Sequence, residues 1–293
     1  MNERKRQVLL TAQRLFIEKG FSATSVQDIL EESTISKGTF YNYFSSKNEC
    51  LIAILEHVND ETFIRRRELL IGQDPSDKQV LAEQIAVRMQ VNKEQNLFML
   101  FEAIFHSGDE ELRDFVKKNH FKELFWLRNR IVDVYGHLAT PFALDAGVLL
   151  LGMMQHINHI GSTSSQHLGS IQELIQYVIR RLDAIIPHLI ETNDQLLGDE
   201  SYTILTNNMD DTVYTSQEIA EQLEGFLSNL NRGQTERGKE YILFLLEELA
   251  KTSPRFSLIE SISRSFMETF AGTSDESEAR EIASKIWSYL DNH

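Results

Sequence analysis

Apolar residues recur at helical spacing along almost the whole chain, and this periodicity limits the fold more than any other feature. The first example is the stripe of Val8, Ala12, Leu15 and Phe16, which are spaced i, i+4, i+7 and i+8. No alternation of polar and apolar residues over the length of a strand rises above this pattern in the sequence. Only 14 glycines and 4 prolines interrupt the 293 residues, and these are the residues that most often break helices. The sequence therefore predicts an all-α protein.

The periodic segments give approximate bounds for the helices, and Gly198–Asp211 between them is polar enough to predict a linker. The predicted helices cover residues 3–19, a short segment after Thr24 or Ser25, then 36–43, 47–70, 76–93, 95–106, 110–136, 142–161, 169–194, 215–230, 235–251, 256–271 and 275–291.

Acidic residues are concentrated away from the N-terminal segment. The formal net charge of −15 by itself disfavours binding to nucleic acid. Residues 1–50 hold 7 Lys and Arg against 6 Asp and Glu, whereas residues 51–198 hold 14 against 20 and residues 199–293 hold 8 against 18. We expect the acidic part to repel non-specific DNA and to leave the N-terminal end able to approach phosphates.

Several classes of protein are disfavoured by features that the sequence lacks. The longest uncharged apolar run, Ala146–Met154, is too short to span a bilayer. The single cysteine, Cys50, excludes an internal disulfide and suits a reducing compartment. The sequence contains no phosphate-binding or dinucleotide glycine pattern, no metalloprotease motif and no nucleophile elbow. We expect a cytoplasmic protein that makes no membrane contact, uses no cofactor and is not an enzyme.

The informative stretch is Ser25–Leu51, SVQDILEESTISKGTFYNYFSSKNECL. Two short helices joined by a tight turn form a helix-turn-helix, whose second helix is able to enter the major groove of DNA. Phe40 and Phe44 lie four residues apart and are expected to turn inward. The packing face of the first helix is supplied by Val26, Ile29 and Leu30.

The same spacing leaves polar side chains of the second helix pointing outward. Lys37, Thr39, Tyr41 and Asn42 all carry hydrogen-bond donors that suit phosphate or base contacts. Gly38 has no side chain, so the backbone there is able to approach DNA closely. The motif therefore predicts a protein that binds double-stranded DNA; the other possibility is a helical hairpin that packs without DNA.

The run S-K-G-T-F-Y-x-Y-F-x-S-K, together with Gly20, Phe21, Thr24 and Ser25, resembles the TetR-type family of bacterial transcriptional repressors over residues 4–55. The resemblance implies that Thr24, Ser25 and Gln27 cap the first motif helix or contact DNA, and that Lys47 contacts a phosphate. It also assigns a set of residues to the recognition helix, namely Ser36, Lys37, Gly38, Thr39, Tyr41, Asn42 and Tyr43.

The resemblance further implies a cytoplasmic homodimer with a ligand-responsive C-terminal domain. We therefore expect a helix-turn-helix domain at 1–46, a ligand-binding and dimerisation domain at 47–197 and an acidic helical extension at 198–293. Members of the family are about 200 residues long, so the resemblance implies nothing about the extension. The leading hypothesis is a repressor that a small apolar effector releases from a palindromic operator. The alternative is a partner-binding adaptor that uses the extension and binds DNA weakly.

Six aromatic residues cluster on two predicted helices of the middle domain. The functional interpretation is an aromatic wall around an apolar effector pocket, which the resemblance favours among residues 60–165, and the structural one is an ordinary core. These residues are Phe98, Phe101, Phe105, Phe121, Phe125 and Trp126.

The predicted helices at 142–161 and 169–194 resemble the dimerising pair of the family, and a place inside a monomer core is the alternative. His156 and His159 on the first of these suit an interface more than a soft-metal site, so we expect no metal. The run Arg65–Arg67 is expected to form a solvated face paired with Glu61 or Glu68.

Overall fold

The computed structural model describes residues 3–97, 100, 104, 108–163, 169–207, 214–230 and 236–291, and every regular element in those residues is helical. The all-α prediction is therefore confirmed. The α-helices, in chain order, are α1 (Glu3–Glu18), α2 (Val26–Ser33), α3 (Lys37–Tyr43), α4 (Lys47–Leu70), α5 (Lys78–Glu94), α6 (Glu110–Tyr135), α7 (Ala143–Thr163), α8 (Ile171–Thr192), α9 (Asp199–Asn207), α10 (Ser216–Asn229), α11 (Glu236–Leu249), α12 (Phe256–Thr269) and α13 (Glu276–Asp291), with a 3₁₀ helix at His137–Phe142.

The backbone divides into two compact units. Unit 1 consists of Met1–Ala12, Ile29–Tyr43 and Asp211–His293, and unit 2 consists of Gln13–Asp28 and Phe44–Asp210. The division into domains at 1–46, 47–197 and 198–293 stays a prediction.

The core of unit 2 is built by the apolar faces of α5, α6, α7 and α8. In α8 the buried residues recur every three or four positions, so one stripe of the helix meets the core. Buried residues of this core include Leu81, Ile85, Leu127, Ile131, Ala146, Leu150, Val178 and Leu182.

Unit 1 has a separate core, built by the four helices α10 to α13. The rings of Phe226 and Phe270 meet edge-on, with their centroids 5.0 Å apart, and Phe266 meets Phe226 in the same way at 5.5 Å. Other buried residues here are Ile219, Leu223, Ile242, Leu245, Ile259, Ile282 and Ile286. The extension is therefore folded and has its own hydrophobic core, as its apolar spacing indicated.

The predicted linker Gly198–Asp211 is wrong over much of its length, because α9 (Asp199–Asn207) lies within it. Tyr202 of α9 packs edge-on against the ring of Phe125 in α6, with the centroids 5.1 Å apart. This tertiary contact stabilises a short helix whose own sequence is too polar to indicate one. The helix predicted at 95–106 lies mostly outside the described residues.

One described helical stretch, His137–Gly161, is long and apolar enough by composition to cross a membrane. Ala143, Ala146 and Leu150 of this stretch are buried in the core of unit 2. Val148 and Leu149 on the same helix are exposed. The stretch therefore contributes one face to a helical core and leaves a second apolar face on the surface of the chain.

Candidate nucleic-acid interface

The turn between α1 and α2 is closed by Thr24. Gly20 adopts a left-handed conformation (φ +88°) that favours glycine and ends α1. The Thr24 hydroxyl donates to the carbonyl oxygen of Leu15 at 3.1 Å and is 2.9 Å from that of Gly20. Because Thr24 is only 1% exposed, its side chain fixes the turn. A DNA contact from Thr24 stays a prediction.

The sequence offers Thr24 or Ser25 as the N-terminal cap of α2, and Ser25 is the residue that caps it. Its hydroxyl accepts from the backbone N–H of Asp28 at 3.1 Å, and the Asp28 carboxylate accepts from the Ser25 N–H at 2.8 Å. Hydrogen bonds from Ser25 and then from Lys19, at 3.0 Å, hold the pKa of Asp28 well below its ordinary value. The side chain of Gln27 is exposed beside this cap.

Helix α3 separates a buried ring from exposed polar side chains. Phe40 is 0% exposed, whereas Tyr41 is 46% exposed and Lys37 lies on the surface beside it, with Nζ 5.9 Å from the centre of the Tyr41 ring. Ser36 caps α3 by accepting from the N–H of Thr39 at 3.1 Å, and their hydroxyls lie 2.9 Å apart. Thr39 is half-buried.

At the end of the motif, an aromatic ring is again buried while a polar side chain is exposed. Phe44 is 1% exposed, Asn42 is exposed and Tyr43 is half-buried. The predicted orientation, in which Phe40 and Phe44 turn inward while Lys37 and Tyr41 turn outward, is therefore confirmed. Contacts of these residues with DNA stay predictions.

Gly38 lies in α3 without any steric need for glycine. A Cβ atom built on it would meet only the Ser36 hydroxyl, at an ordinary 3.8 Å. Glycine inside a helix costs about 0.5–1 kcal/mol relative to alanine. The fold of the chain itself therefore gives no reason for this glycine, and a close approach of DNA to the backbone here stays a prediction.

Lys47 begins α4 and holds the preceding turn. Its Nζ donates to the carbonyl oxygens of Phe21 and Thr24, both at 2.8 Å, and lies 4.3 Å from the centre of the Phe21 ring. Partial burial lowers the pKa of Lys47. Two of its three N–H groups are thus used within the protein, and a phosphate contact through the third stays a prediction.

The candidate pocket residues are only partly described. Phe98, Phe101 and Phe105 lie outside the described residues. The remaining three contact one another or a neighbour, Arg66, that the sequence did not indicate. Phe121 stacks on Phe125 with the centroids 6.5 Å apart, and the Arg66 guanidinium covers the Trp126 ring at 3.6 Å. A pocket at these rings stays a prediction.

The arginine run on α4 does not form one solvated face. Arg65 pairs with Glu61 at 2.8 Å, as predicted, and with Glu94 at 2.9 Å. The prediction is wrong for Arg66, which is 6% exposed and pairs with Glu123 of α6. Sequence spacing missed this contact because Glu123 lies 57 residues further along the chain.

The remaining candidates have simple surroundings. Cys50 is buried, in keeping with a packing role. His156 and His159 are exposed on α7. Within the described part of the chain, no group of three or more histidine, cysteine and carboxylate side chains is placed to hold a metal ion.

Comparison with known proteins gives matches at two length scales. A family model described as "Bacterial regulatory proteins, tetR family" matches residues 8–54. HTH-type transcriptional repressor KstR2 of Mycobacterium tuberculosis is 34% identical over 70 residues, which are 24% of this chain and 35% of that protein. No solved structure matches the chain.

Two Bacillus subtilis proteins match over a greater length. The uncharacterized HTH-type transcriptional regulator YuxN is 25% identical over 96% of this chain and 98% of its own length. The uncharacterized HTH-type transcriptional regulator YerO is 26% identical over 84% of this chain and 96% of its own length. The match with YuxN is long enough to include most of the C-terminal extension. With the helix-turn-helix geometry of α2 and α3, these findings show that the chain carries an N-terminal DNA-binding domain of the tetR family of bacterial regulatory proteins and is similar to HTH-type transcriptional regulators over most of its length.

Proposed function

We propose that the chain is a repressor that binds a palindromic operator as a homodimer and is released from it by a small-molecule effector. The observation that carries the proposal is the exposed polar surface of α3. Lys37, Tyr41 and Asn42 project from a helix whose opposite side is anchored by the buried ring of Phe40. Such a helix presents hydrogen-bond donors to the major groove in a fixed orientation.

The exposed surface of α7 and α8 supports the proposed homodimer. Val148 and Leu149 are 41% and 43% exposed, and Tyr177 of α8 is 40% exposed. Large apolar side chains at this density suit contact with a second copy of the chain. Two-fold symmetry is also what two half-sites about 34 Å apart require.

Effector control is proposed for unit 2, because it contains the partly described aromatic residues and the long helix α4. A small molecule that binds one arrangement of two recognition helices better than another shifts their equilibrium spacing, and with it the affinity for the operator. As a regulator of transcription in bacteria the protein works in the cytoplasm, and no catalytic step is part of its proposed role.

A gel-shift experiment with the full chain and fragments of its own genome tests the proposal. We expect a preferred palindromic fragment, with an affinity that falls steeply as salt rises. Tyr41→Ala should weaken discrimination at the contacted position by about 1–3 kcal/mol, and Lys37→Ala should weaken binding to all fragments. Lys93→Ala is the matched control, because Lys93 is exposed on α5 outside the motif. Equal affinity for every fragment would reject the repressor.

The adaptor that uses the extension is the second candidate, and the exposed leucines of unit 1 favour it. Leu243 is 57% exposed on α11 and Leu258 is exposed on α12. If a protein partner docks there, Leu243→Asp with Leu258→Asp should abolish regulation in cells while operator binding in vitro stays intact. Unchanged regulation by this variant would exclude the adaptor.

A further inference from the structure

A buried charged cluster joins α4, α5 and α6 inside unit 2. Arg66 donates from both terminal nitrogens to the two oxygens of Glu123, at 2.9 and 2.6 Å. Its Nε donates to the carbonyl oxygen of Gln84 at 2.9 Å, and its guanidinium carbon lies 3.6 Å from the centre of the Trp126 ring. Arg66 alone therefore gives Glu123 a bidentate partner and neutralises its charge.

A second cation, Arg88 of α5, lies beside the same carboxylate without a close ion pair of its own. Its Nη1 is 3.7 Å from the nearer Glu123 oxygen, which is too long for a hydrogen bond, and donates instead to the amide oxygen of Asn59 at 3.1 Å. Among the described residues, Nε and Nη2 of Arg88 have no hydrogen-bond acceptor. These two atoms form one edge of the guanidinium, and such an edge is able to donate to both oxygens of a carboxylate.

The charges of the cluster do not balance. Arg66 and Arg88 face one carboxylate, Glu123, so these three side chains together carry one positive charge. The nearby Arg130 does not change this count, because Asp133 pairs with it at 2.6 Å. Burial lowers the pKa of Arg88, with the neighbouring Arg66 acting in the same direction and Glu123 opposing it. An uncompensated cation in a partly buried position is costly unless an anion joins it.

One helical turn further along α5 lies a second incomplete polar group. The side-chain oxygen of Asn92 is buried, and the described part of the chain supplies no hydrogen-bond partner for it. Residues four apart on a helix point to the same side, so Asn92 lies next to Arg88. A buried acceptor without a donor costs about 1–3 kcal/mol, which a hydroxyl or N–H group of a bound molecule would offset.

We propose that Arg88 and Asn92 form a binding site for a small organic acid that carries a hydroxyl group close to its carboxylate. The carboxylate occupies the Nε–Nη2 edge of Arg88, and the hydroxyl donates to Asn92. A monoanion matches the single surplus charge, whereas a phosphate dianion would exceed it. If the bound acid is the effector, this inference rests on the proposed function. Binding of the acid itself requires no DNA.

The experiment measures the thermal unfolding midpoint of the full chain at constant ionic strength while glycolate, acetate, ethanol or inorganic phosphate is titrated. We expect a saturable rise with acetate, a tighter response to glycolate because it carries the hydroxyl, and no rise with ethanol. Asn92→Leu should remove the advantage of glycolate over acetate. A stronger response to phosphate than to both carboxylates would overturn the ligand class, and no saturable response to either carboxylate would overturn the site.

Variants of the cluster separate a binding site from a structural network. Arg88→Gln should weaken the acetate response at least tenfold, and should lower the unfolding midpoint of the free protein less than Glu123→Gln does, because Glu123 keeps its bidentate pair with Arg66. Glu123→Gln should lower that midpoint, because it leaves Arg66 buried without its partner. Arg113→Gln, on the exposed surface of α6, is the control and should keep the full response. If Arg88→Gln keeps the acetate response, Arg88 is not the anion site.

Gel-shift measurements with the same molecules distinguish this inference from the proposed function. Carboxylate binding at Arg88 without any change in operator affinity would preserve the site and reject its role in effector release. Operator release by an uncharged molecule, together with no carboxylate response, would preserve the repressor and reject the site.

Discussion

At the scale of single residues, Lys47 combines a structural contact with a candidate DNA contact. Two of its N–H groups bind carbonyl oxygens of the turn before α2, and its side chain covers the ring of Phe21. Loss of DNA binding on mutation of Lys47 is therefore not by itself a sign of a phosphate contact. Lys37, which lies on the exposed side of α3, is the cleaner probe.

Lys47→Met keeps the hydrocarbon stem on Phe21 and removes the ammonium group. We expect the free energy of unfolding to fall by about 1–3 kcal/mol, because two carbonyl oxygens lose charged donors. Lys37→Met should leave the free energy of unfolding unchanged within about 0.5 kcal/mol, as is usual for surface positions. Urea unfolding of both variants measures the difference. Equal stability of the two would mean that Lys47 does not hold the turn.

Gly38→Ala also separates folding from DNA binding, but here the substitution is expected to keep or raise stability rather than lower it. Alanine fits at Gly38 without a close contact, so the variant should be as stable as the original or more stable by about 0.4–1 kcal/mol. If the backbone of α3 approaches DNA at this residue, the added methyl group should lower operator affinity. Thermal unfolding and gel shifts on one preparation compare the two effects. Unchanged affinity would place the DNA backbone away from Gly38.

At the scale of elements, the turn between α11 and α12 depends on one buried carboxylate. Glu248 is fully buried near the end of α11 and accepts from the backbone N–H of Arg255 at 3.2 Å. Side-chain hydrogen bonds from Arg255, and then from Lys251, lower the pKa of Glu248 from 4.5 to about 2. The carboxylate therefore joins the end of one helix to the residue before the next.

This pKa gives the direction of a pH effect. A carboxyl group whose pKa is lower in the folded chain than in the unfolded chain stabilises the fold at pH values above the unfolded pKa. For Glu248 this contribution is lost as pH falls from about 4.5 towards 2. Glu248→Gln should therefore lower the unfolding midpoint at pH 6, and the gap between the two proteins should narrow at pH 3. Glu268→Gln, in an exposed pair with Arg264, serves as the control. A gap that stays constant with pH would contradict the assignment.

At the scale of the whole molecule, the proposed dimer is the feature on which operator binding depends. Val148→Asp with Leu149→Asp places charges on the exposed apolar face of α7. We expect light scattering to report a monomer and the affinity for a palindrome to fall at least a hundredfold, because the two half-sites are then bound independently. Leu243→Asp, on an exposed face of unit 1, should leave the mass unchanged. A dimer that survives the α7 variant would move the interface elsewhere.

Local features were predictable because they depend on neighbours in the sequence. The helical stripe of α1, the caps at Ser25 and Ser36 and the inward turn of Phe40 and Phe44 all follow from spacings of a few residues. Helix α9 was not predictable in this way. Its Tyr202 packs on the ring of Phe125, and these two residues are 77 positions apart in the sequence. The pairing of Arg66 was not predictable either, because its partner Glu123 lies 57 residues further along the chain.

The sequence by itself determined the class of fold and the position of the DNA-binding motif, because helical periodicity and capping are short-range properties of the chain. Only the tertiary structure decided which charged side chains leave the solvent. Arg66 and Arg88 look like ordinary surface arginines along the sequence, and they meet Glu123 only when α4, α5 and α6 pack together. The physical reason is that burial and charge balance depend on distances in space, to which separation along the chain gives no guide.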